Sequence, residues 1–361
     1  MSTIQTTNLT KRFGDLTAVD SVDLDVAAGE VLCLLGPSGC GKTTTLRMIA
    51  GLETTTNGEV RIAGRRVNEL SPAERDIAMV FQFYALYPSL TVAENLAFPL
   101  HADNMSKADI DDRVRVVAGK LALGDVLHRK PSVLAEGEKQ RVAVARAIVR
   151  DPNCFLFDEP LSRLDVELRM AMRGQIKEIL NELSKATVIV THDQLEALTM
   201  ADRIAVMRDG RIEQIASPHD IFAKPANVFV AGFIGTPQMN LLEGRLVSQN
   251  GQASFSLAGQ DVSLEMPGAN GKLREGETYT VGIRPRGLEL LGEAAPGSIA
   301  ATVDLVEPMG AETLLHLKAE GQEIRVVLGR RMVVREGERL HLGLAADKLH
   351  LFGQNGERIE L

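Results

Sequence analysis

The chain is poor in aromatic residues and carries more negative than positive charge. Only 4% of its 361 residues are aromatic, none is tryptophan, and the formal net charge is −8. Proteins that bind single-stranded nucleic acid stack bases on aromatic rings and attract phosphates with basic patches. The composition therefore argues against nucleic acid as a partner.

Cysteines and long apolar runs are also scarce. The three cysteines, Cys33, Cys40 and Cys154, have no disulfide or metal-ligand spacing, which fits a reducing cytosol. No run approaches the roughly 18 consecutive apolar residues that span a bilayer. Residues 1–5 have neither the basic start nor the apolar core of a secretory signal. We expect a chain that is neither secreted nor membrane-spanning.

The most informative feature is the segment at residues 36–43, which reads G-x-x-x-x-G-K-T. It follows an apolar run at residues 31–35 and precedes residues 44–49 at helical spacing, the strand–loop–helix context of a phosphate-binding loop. Its glycines let backbone N–H groups surround an anion, while Lys42 adds positive charge and Thr43 a hydroxyl ligand for Mg²⁺. We predict that this chain binds a nucleoside triphosphate. The candidate binding residues are Gly36, Pro37, Ser38, Gly39, Cys40, Gly41, Lys42, Thr43 and Thr44.

Two carboxylates follow a second apolar run. Residues 154–157 read as a buried strand and deliver Asp158 and Glu159 to its carboxyl end, where phosphate-loop enzymes keep their metal ligand and water-orienting group. Asp158 is therefore the candidate Mg²⁺ ligand, and Glu159 is the candidate general base. His192 follows a third apolar run at residues 188–190, and this placement predicts a contact with the γ-phosphate.

The sequence pattern changes near residue 236. Apolar runs alternate with helical patterns before it, which predicts an α/β layered domain. Within that domain, Ser106 can cap a helix and residues 17–26 alternate with the period of a half-buried strand. Short alternating runs between glycine-containing turns follow, and they predict small β-barrels. We predict one domain at residues 1–235 and an all-β domain at residues 236–361.

The order of these motifs resembles the ATPase subunit of an ABC transporter, over residues 3 to 235. Phe13 matches the aromatic residue that stacks on adenine in that family. The segment at residues 36–43 matches the Walker A loop, and Asp158 with Glu159 matches the Walker B pair. The resemblance implies an ABC-type ATP-binding domain that uses ATP and Mg²⁺ as cofactors.

The same resemblance implies further site residues. Gln82 matches the glutamine of the Q-loop, which implies a catalytic role and a contact with Mg²⁺ in addition to that of Thr43. His192 matches the catalytic switch histidine. The D-loop is matched by Ser162, Arg163, Leu164 and Asp165. A helical subdomain is expected at residues 84–150 of the ATPase domain.

Other segments are similar to importers of sugars, polyols and glycerol phosphates. They are residues 79–88, residues 230–235, and residues 282–285 within oligonucleotide-fold-like barrels. This likeness implies a second ATPase subunit, two integral membrane permease subunits and, indirectly, a solute-binding protein. It also implies a peripheral position on the cytoplasmic face of the inner membrane, where an exposed aromatic groove receives a permease helix. The groove residues are Phe81, Phe83, Tyr84 and Tyr87.

Competing functions stay open at this point. Importers of polyamines, ferric iron or sulfate have similar tails, and substrate choice belongs to the binding protein and the membrane subunits. A soluble ABC-type ATPase acting on nucleic acid or ribosomes is a second class, and a mainly regulatory nucleotide-binding subunit is a third. The intact Lys42, Asp158, Glu159 and His192 oppose the third class.

One motif departs from the family. Where ABC ATPases have Leu-Ser-Gly-Gly-Gln, this chain has Leu134, Ala135, Glu136, Gly137 and Glu138. In the family this signature covers the γ-phosphate bound to the other subunit, so Ala135 removes a hydroxyl donor and a helix N-cap. A carboxylate on Glu136 repels a phosphate ~4 Å away by about 4 kcal/mol at an effective dielectric of 20. We predict an impaired signature and, as a hypothesis, a heterodimer with a paralogous partner. The alternative is a homodimer in which Gly137 and backbone N–H groups suffice.

Overall fold

The computed structural model describes residues 3–103, 105–249, 252–257, 259–263, 273–295, 297–329, 334–345 and 348–360. The chain divides into two compact units, the first ending at His219 and the second beginning at Asp220. The border predicted between residues 235 and 236 stays a prediction. Every helix in the described ranges is too short or too polar to span a bilayer.

The first unit alternates strands and helices, which confirms the predicted α/β class. Its strands are β1 (Ile4–Phe13), β2 (Leu16–Val26), β3 (Val31–Leu35), β4 (Asn57–Ile62), β5 (Arg65–Arg66), β6 (Ile77–Val80), β7 (Cys154–Asp158), β8 (Ala186–Thr191), β9 (Arg203–Arg208) and β10 (Arg211–Ala216). Its helices are α1 (Lys42–Ala50), α2 (Val92–Ala97), α3 (Lys107–Lys120), α4 (Glu136–Ile148), α5 (Val166–Leu183) and α6 (Gln194–Met200). Short 3-10 helices occupy Phe98–Asp103, Gly124–Val126 and Pro131–Val133.

The centre of this unit is a six-stranded sheet in the order β10-β9-β3-β8-β7-β6. Strand β3 pairs in parallel with β8 and β9, and β7 pairs in parallel with β6 and β8. Every residue of β3, β7 and β8 is buried, which explains why these strands are largely apolar runs. Because these strands are adjacent and parallel, the loops after their carboxyl ends meet at one edge of the sheet.

A second sheet of the first unit is antiparallel and has the order β2-β1-β4-β5. Strands β1 and β2 form a hairpin in which Phe13 is opposite Leu16. Burial alternates along the second half of β2, which confirms the half-buried strand predicted at residues 17–26. The end of this hairpin is where Phe13 reaches the surface.

Helices α2, α3 and α4 lie between β6 and β7 in the chain and share an apolar core. Leu96, Val114 and Val142 from the three helices are buried in it. Helix α3 begins as predicted, because the Ser106 hydroxyl accepts a hydrogen bond from the Asp109 N–H at 3.2 Å. The helices predicted after Ser106 are confirmed, whereas the limits of a subdomain at residues 84–150 stay a prediction.

The second unit is rich in strands, which confirms the predicted all-β pattern of the C-terminal part. Its strands are β11 (Asn240–Gln249), β12 (Gln252–Leu257), β13 (Gln260–Ser263), β14 (Thr278–Ile283), β15 (Leu288–Leu291), β16 (Ser298–Met309), β17 (Glu312–Ala319), β18 (Gln322–Leu328), β19 (Arg339–Leu344), β20 (Leu349–Phe352) and β21 (Arg358–Ile359). They form one sheet in the order β13-β12-β11-β14-β20-β21 and another in the order β15-β19-β16-β17-β18. Helices α7 (Pro218–Ala223) and α8 (Val228–Phe233) and a 3-10 helix at Pro285–Gly287 complete the elements.

A half-buried arginine connects helix α8 to the strands of the second unit. The Arg284 guanidinium follows β14 and donates to the carbonyls of Ala231 (3.3 Å), Ile234 and Phe222 (2.9 Å). It also stacks on the Phe222 ring, with 4.0 Å between the guanidinium carbon and the ring centroid. The carbonyls at the end of α8, which have no partner within the helix, are thereby satisfied.

Candidate functional site

The loop at residues 36–43 has a backbone that only glycine allows at two positions. Gly41, the N-cap of α1, has a φ of 102°, and a Cβ there would lie 2.5 Å from the Ala18 carbonyl oxygen. A Cβ on Gly36 would lie 2.3 Å from the Met207 carbonyl oxygen. Since Gly41 has no side chain to cap α1, the first N–H groups of that helix are available to donate hydrogen bonds to an anion.

The ammonium of Lys42 lies inside this loop. Its Nζ donates to the carbonyls of Gly36 and Pro37 at 2.8 Å each and lies 3.7 Å from the Cys40 Sγ. The loop is exposed at Pro37, Ser38 and Gly39 and buried at Cys40. A positive charge therefore lies within a concave backbone, as a phosphate-binding site requires.

Thr43 and Asp158 meet across the sheet edge. The Thr43 hydroxyl donates to the Asp158 Oδ1 at 3.2 Å, and burial raises the pKa of the Asp158 carboxyl. A neighbouring cation would favour the charged carboxylate, and an adjacent hydroxyl and carboxylate are oxygen ligands of the kind that Mg²⁺ prefers. Within the described residues no group of three or more His, Cys, Asp or Glu could hold a metal ion. A metal here would also need oxygens from the nucleotide or water.

Gln82, Glu159 and His192 come together on three neighbouring strands. They follow β6, β7 and β8, and the Glu159 carboxylate accepts from the Gln82 Nε2 at 2.9 Å and lies 3.1 Å from the His192 Nδ1. Glu159 has a φ of 48°, a strained value for a residue with a side chain, and its N–H donates to the Val190 carbonyl at 2.9 Å. Strain at this residue is consistent with a functional position.

The D-loop residues follow Glu159 in the chain and lead into helix α5. The Ser162 hydroxyl donates to the Glu159 carbonyl at 3.1 Å, and Leu164 is buried. Asp165 is the N-cap of α5 and accepts from the Leu168 N–H at 2.9 Å. Phe13 lies apart from this cluster on the β1–β2 hairpin, with about half of its surface exposed and the Lys11 ammonium 4.8 Å from its ring centroid.

The signature segment holds its carboxylates within its own helix. Ala135 occupies the N-cap position of α4, as predicted, and the Glu138 carboxylate turns back to accept from the Ala135 N–H at 2.8 Å. The Glu136 carboxylate accepts from the Lys139 ammonium at 2.7 Å, which lowers the pKa of Glu136. A Cβ on Gly137 would lie 2.5 Å from the Leu168 Cδ2, so the first turn of α4 packs closely on α5.

Three of the four aromatic residues predicted to line an exposed groove are exposed, and one is buried. Phe81, Phe83 and Tyr87 are exposed by 38%, 66% and 40%, but Tyr84 is 7% exposed and belongs to the core of the helices. Burial, together with the nearby Glu136 carboxylate, raises the pKa of Tyr84 to about 12. Its inclusion in an exposed groove was wrong, because its ring packs in the apolar core of the helices.

An arginine that no sequence motif marks holds the segment after Gln82. Tyr84 and Ala85 both have positive φ, and the Arg146 guanidinium of α4 donates to their carbonyls at 3.0 Å and 2.7 Å. Arg163 of the D-loop lies 4.2 Å from the Phe83 ring centroid. No local pattern marks Arg146, because its partners are about sixty residues away in the chain.

Comparison with protein families places known domains in both units of the chain. The ABC transporter family matches residues 19–162, the MalK OB fold domain matches residues 235–286, and the TOBE domain matches residues 281–352. The first match contains the phosphate-binding loop, Asp158 and Glu159, and the other two lie in the strand-rich second unit.

Several curated proteins are similar over nearly their full length. The chain is 43% identical to the sn-glycerol-3-phosphate import ATP-binding protein UgpC 1 of Rhizobium johnstonii, over 99% of this chain and 96% of that protein. It is 44% identical to the osmoprotective compounds uptake ATP-binding protein GgtA of Synechocystis, over 99% of both. It is 46% identical to an uncharacterized ABC transporter ATP-binding protein, y4oS, of Sinorhizobium fredii, over 99% of this chain and 95% of that protein.

Solved structures give the same result for the first unit. The dimeric ATP-binding cassette MJ0796, in a post-hydrolysis state with ADP and Pi, has a TM-score of 0.54 and 32% sequence identity, covering 60% of this chain and 98% of that one. With this match, the full-length relatives and the three domain matches, the chain belongs to the ABC transporter family as an ATPase subunit of the importer type that carries MalK OB-fold and TOBE domains.

Proposed function

We propose that this subunit hydrolyses ATP to power import of a glycerol phosphate, a polyol or a sugar. The observation that carries the proposal is full-length similarity to sn-glycerol-3-phosphate import ATP-binding proteins, which includes the strand-rich second unit. A relative with similar sequence identity, 44%, is named for uptake of osmoprotective compounds, so the proposed class of solutes includes more than glycerol phosphates. Importers of polyamines, ferric iron or sulfate are the alternative.

The phosphate-binding loop supports the proposed ATP contacts. Backbone N–H groups at residues 38–44 and the Lys42 ammonium would hold the β- and γ-phosphates, and the exposed ring of Phe13 would stack on adenine. Lys42 would exchange its bonds to the Gly36 and Pro37 carbonyls for bonds to phosphate. Charge-assisted bonds of that kind are stronger than bonds to neutral carbonyls.

The hydrolytic roles follow from the contacts at the sheet edge. Thr43, Asp158 and Gln82 would hold Mg²⁺, which supplies charge neutralisation on the β- and γ-phosphates when bound. Glu159 would orient the attacking water and accept its proton. His192 lies 3.1 Å from Glu159 and would donate to the γ-phosphate, while Gln82 keeps the carboxylate oriented.

The import proposal is tested with the transporter purified through a tag on this chain and rebuilt in lipid with its binding protein. We expect co-purified membrane subunits, and ATP turnover that rises severalfold with one of sn-glycerol 3-phosphate, glycerol, sorbitol or maltose. Stimulation by spermidine, ferric iron or sulfate alone would favour the alternative class. Absence of membrane subunits from the purified complex would contradict the transport function itself.

We also propose that this chain works in a heterodimer with a paralogous ATPase. Ala135 and Gly137 have no polar side-chain atom, and a carboxylate at Glu136 or Glu138 only accepts hydrogen bonds, whereas the family's serine offers one donor and its glutamine two. The bonds of Glu136 to Lys139 and of Glu138 to its own helix reduce the repulsion between these carboxylates and a phosphate. They supply no hydrogen-bond donor. A partner with an intact signature would complete the site on this chain. The homodimer that relies on backbone N–H groups is the alternative.

Native mass determination of the complex tests this arrangement. Two different ATPase subunits beside the membrane pair are expected, and two copies of this chain would refute the heterodimer. In the same complex, the double variant Ala135→Ser/Glu136→Gly should raise ATP turnover about two- to tenfold. Unchanged turnover would show that the altered signature costs nothing.

The proposed location is the cytoplasmic face of the inner membrane, by attachment to the permease. The exposed rings of Phe81, Phe83 and Tyr87 support a permease contact beside the Q-loop. Fractionation of cells with and without the permease genes tests it. The chain should sediment with membranes only when the permease is present, and sedimentation without it would contradict this mode of attachment.

A further inference from the structure

One arginine contacts the chain shortly after Glu159 and directly after His192. Arg169, on the first turns of α5, donates through Nη2 to the Leu164 carbonyl at 2.9 Å. Through Nη1 it donates to the Asp193 Oδ2 at 3.2 Å. A single planar guanidinium therefore joins the D-loop to the residue that follows His192.

Each end of this bridge is coupled to a residue of the hydrolytic pair. The turn that ends at Leu164 is fastened to Glu159, since the Ser162 N–H and hydroxyl both bond to the Glu159 carbonyl, at 3.4 Å and 3.1 Å. Asp193 caps α6 with its other oxygen, which accepts from the Leu195 N–H at 2.8 Å. Arg169 therefore links the chain on either side of the site, and Arg173 adds an ion pair from its Nη2 to the Asp193 Oδ2 at 3.8 Å.

We propose that Arg169 is a positioning residue for ATP hydrolysis, because it fixes the distance between the Glu159 carboxylate and the His192 imidazole. The two groups lie 3.1 Å apart on loops from adjacent strands, and a shift of one loop changes that separation directly. Arg169 touches neither group and acts through the backbone. Displacement of a catalytic group by about 1 Å can slow a reaction about a hundredfold.

The test compares three variants in the purified transporter by single-turnover hydrolysis of radiolabelled ATP. Arg169→Met keeps the aliphatic stem and removes both bonds, whereas Arg169→Lys keeps the charge but has one nitrogen for two acceptors. Arg203→Met is the matched control, because Arg203 also joins a carboxylate to a carbonyl, Glu30 at 2.9 Å and Asp25 at 3.1 Å. Arg203 opens β9, at the sheet edge opposite to the site.

We expect the hydrolysis rate to fall at least tenfold in Arg169→Met and less in Arg169→Lys. The Kd for ATP should stay within about twofold in both, and the Arg203→Met rate should stay within about twofold of wild type. If Arg169→Met does not fold, Arg169→Lys carries the same comparison. An unchanged rate in the folded Arg169 variants, or a loss of ATP affinity equal to the loss of rate, would overturn the proposal.

A second background separates positioning from general damage. In a His192→Ala transporter the pair no longer exists, so adding Arg169→Lys should lower the remaining rate by less than about twofold. The same fold-loss as in the wild-type background would mean that Arg169 does not act through His192, and the proposal would fail. Solute identity does not enter this test, so its outcome is independent of the proposed import substrate.

Discussion

At the residue scale, the site depends on carboxylates whose surroundings differ. Asp158 and Glu159 are adjacent in sequence, yet Asp158 bonds to the Thr43 hydroxyl and Glu159 faces Gln82 and His192. Strand β7 ends at Asp158, and Glu159 after it has a φ of 48°. Two neighbouring acids thereby obtain separate candidate roles.

Glu159→Gln should separate ATP binding from hydrolysis. The amide cannot accept the proton of the attacking water, so we expect turnover to fall by about 10²- to 10⁴-fold. ATP affinity should persist, because Lys42 and Thr43 are unchanged. Lys42→Ala should show the opposite pattern, with weakened binding. Radiolabelled ATP binding and phosphate release measure both, and near wild-type turnover in Glu159→Gln would rule out its role as general base.

Glu196 should make the first unit less stable as the pH rises toward neutrality. It is 2% exposed, its Oε2 accepts from the Thr191 hydroxyl at 2.8 Å, and burial raises its pKa from 4.5 to about 7. Between these values the folded protein keeps the proton that the unfolded chain has lost, so unfolding free energy falls as pH rises through this window. Above about pH 7 the cost is constant, at roughly 3 kcal/mol.

The neutral variant Glu196→Gln removes this cost. Thermal melts of both proteins at pH 5 and pH 8 measure it, and the variant should gain stability relative to wild type at pH 8 but not at pH 5. Other titrating groups are common to both proteins and cancel in the difference. Parallel pH dependence of the two melting temperatures would show that Glu196 is ionised in the folded state.

At the element scale, side chains of α4 bond both to the first turn of that helix and to a loop that is distant in the chain. Ala135 leaves α4 without a side-chain cap, and Glu138 bonds to the vacant N–H instead. Arg146 on a later turn of α4 holds two carbonyls after the Q-loop. The helix that carries the altered signature is thus connected by hydrogen bonds to the segment that follows Gln82.

Arg284→Lys should loosen α8 and destabilise the second unit. Lysine has one ammonium where Arg284 bonds to three carbonyls, and it cannot stack on the Phe222 ring as a planar guanidinium does. Unsatisfied carbonyls and lost stacking should cost roughly 2 kcal/mol. Urea unfolding followed by circular dichroism measures the loss. The control Arg274→Lys, at an exposed ion pair with Glu277, should change stability by less than about 0.5 kcal/mol.

At the scale of the whole molecule, the chain consists of two units with separate cores. The sequence predicts a border between residues 235 and 236, whereas compactness places it after His219. The segment between the two borders includes α8. The Asn227 Oδ1 caps this helix by accepting from the Val230 N–H at 2.9 Å, and Arg284 donates to the Ile234 carbonyl at its end. These contacts favour a folding unit that includes α8.

Two truncated fragments should distinguish the borders. A fragment of residues 220–361 should fold, with dispersed amide NMR signals and a cooperative melt. A fragment of residues 236–361 should be less stable by several kcal/mol, because Arg284 and the Phe352 side of the sheet lose α8. Equal stability of the two fragments would favour the border at residue 235 and would show that α8 contributes nothing to the fold of the second unit.

Local chemistry explains what could be predicted. The loop at residues 36–43, the run before Asp158 and the cap at Ser106 each need only neighbours in sequence, because turns, caps and buried strands follow from backbone propensities and short-range patterns. The change from α/β alternation to short alternating strands likewise follows from periodicity. The departure at Ala135 and Glu136 was recognised by comparing this segment with the signature motif of the family that the chain resembles.

By itself, then, the sequence determined the α/β and all-β halves, the family resemblance and the loops that carry candidate groups. Only the tertiary structure decided that Gln82, Glu159 and His192 contact one another, that Glu138 turns back on its helix, and that Tyr84 is buried. Arg146, Arg169 and Arg284 could not be found in the sequence, because their carbonyl partners lie on other elements. Such contacts depend on how strands cross over and pack, and no short-range pattern encodes that arrangement.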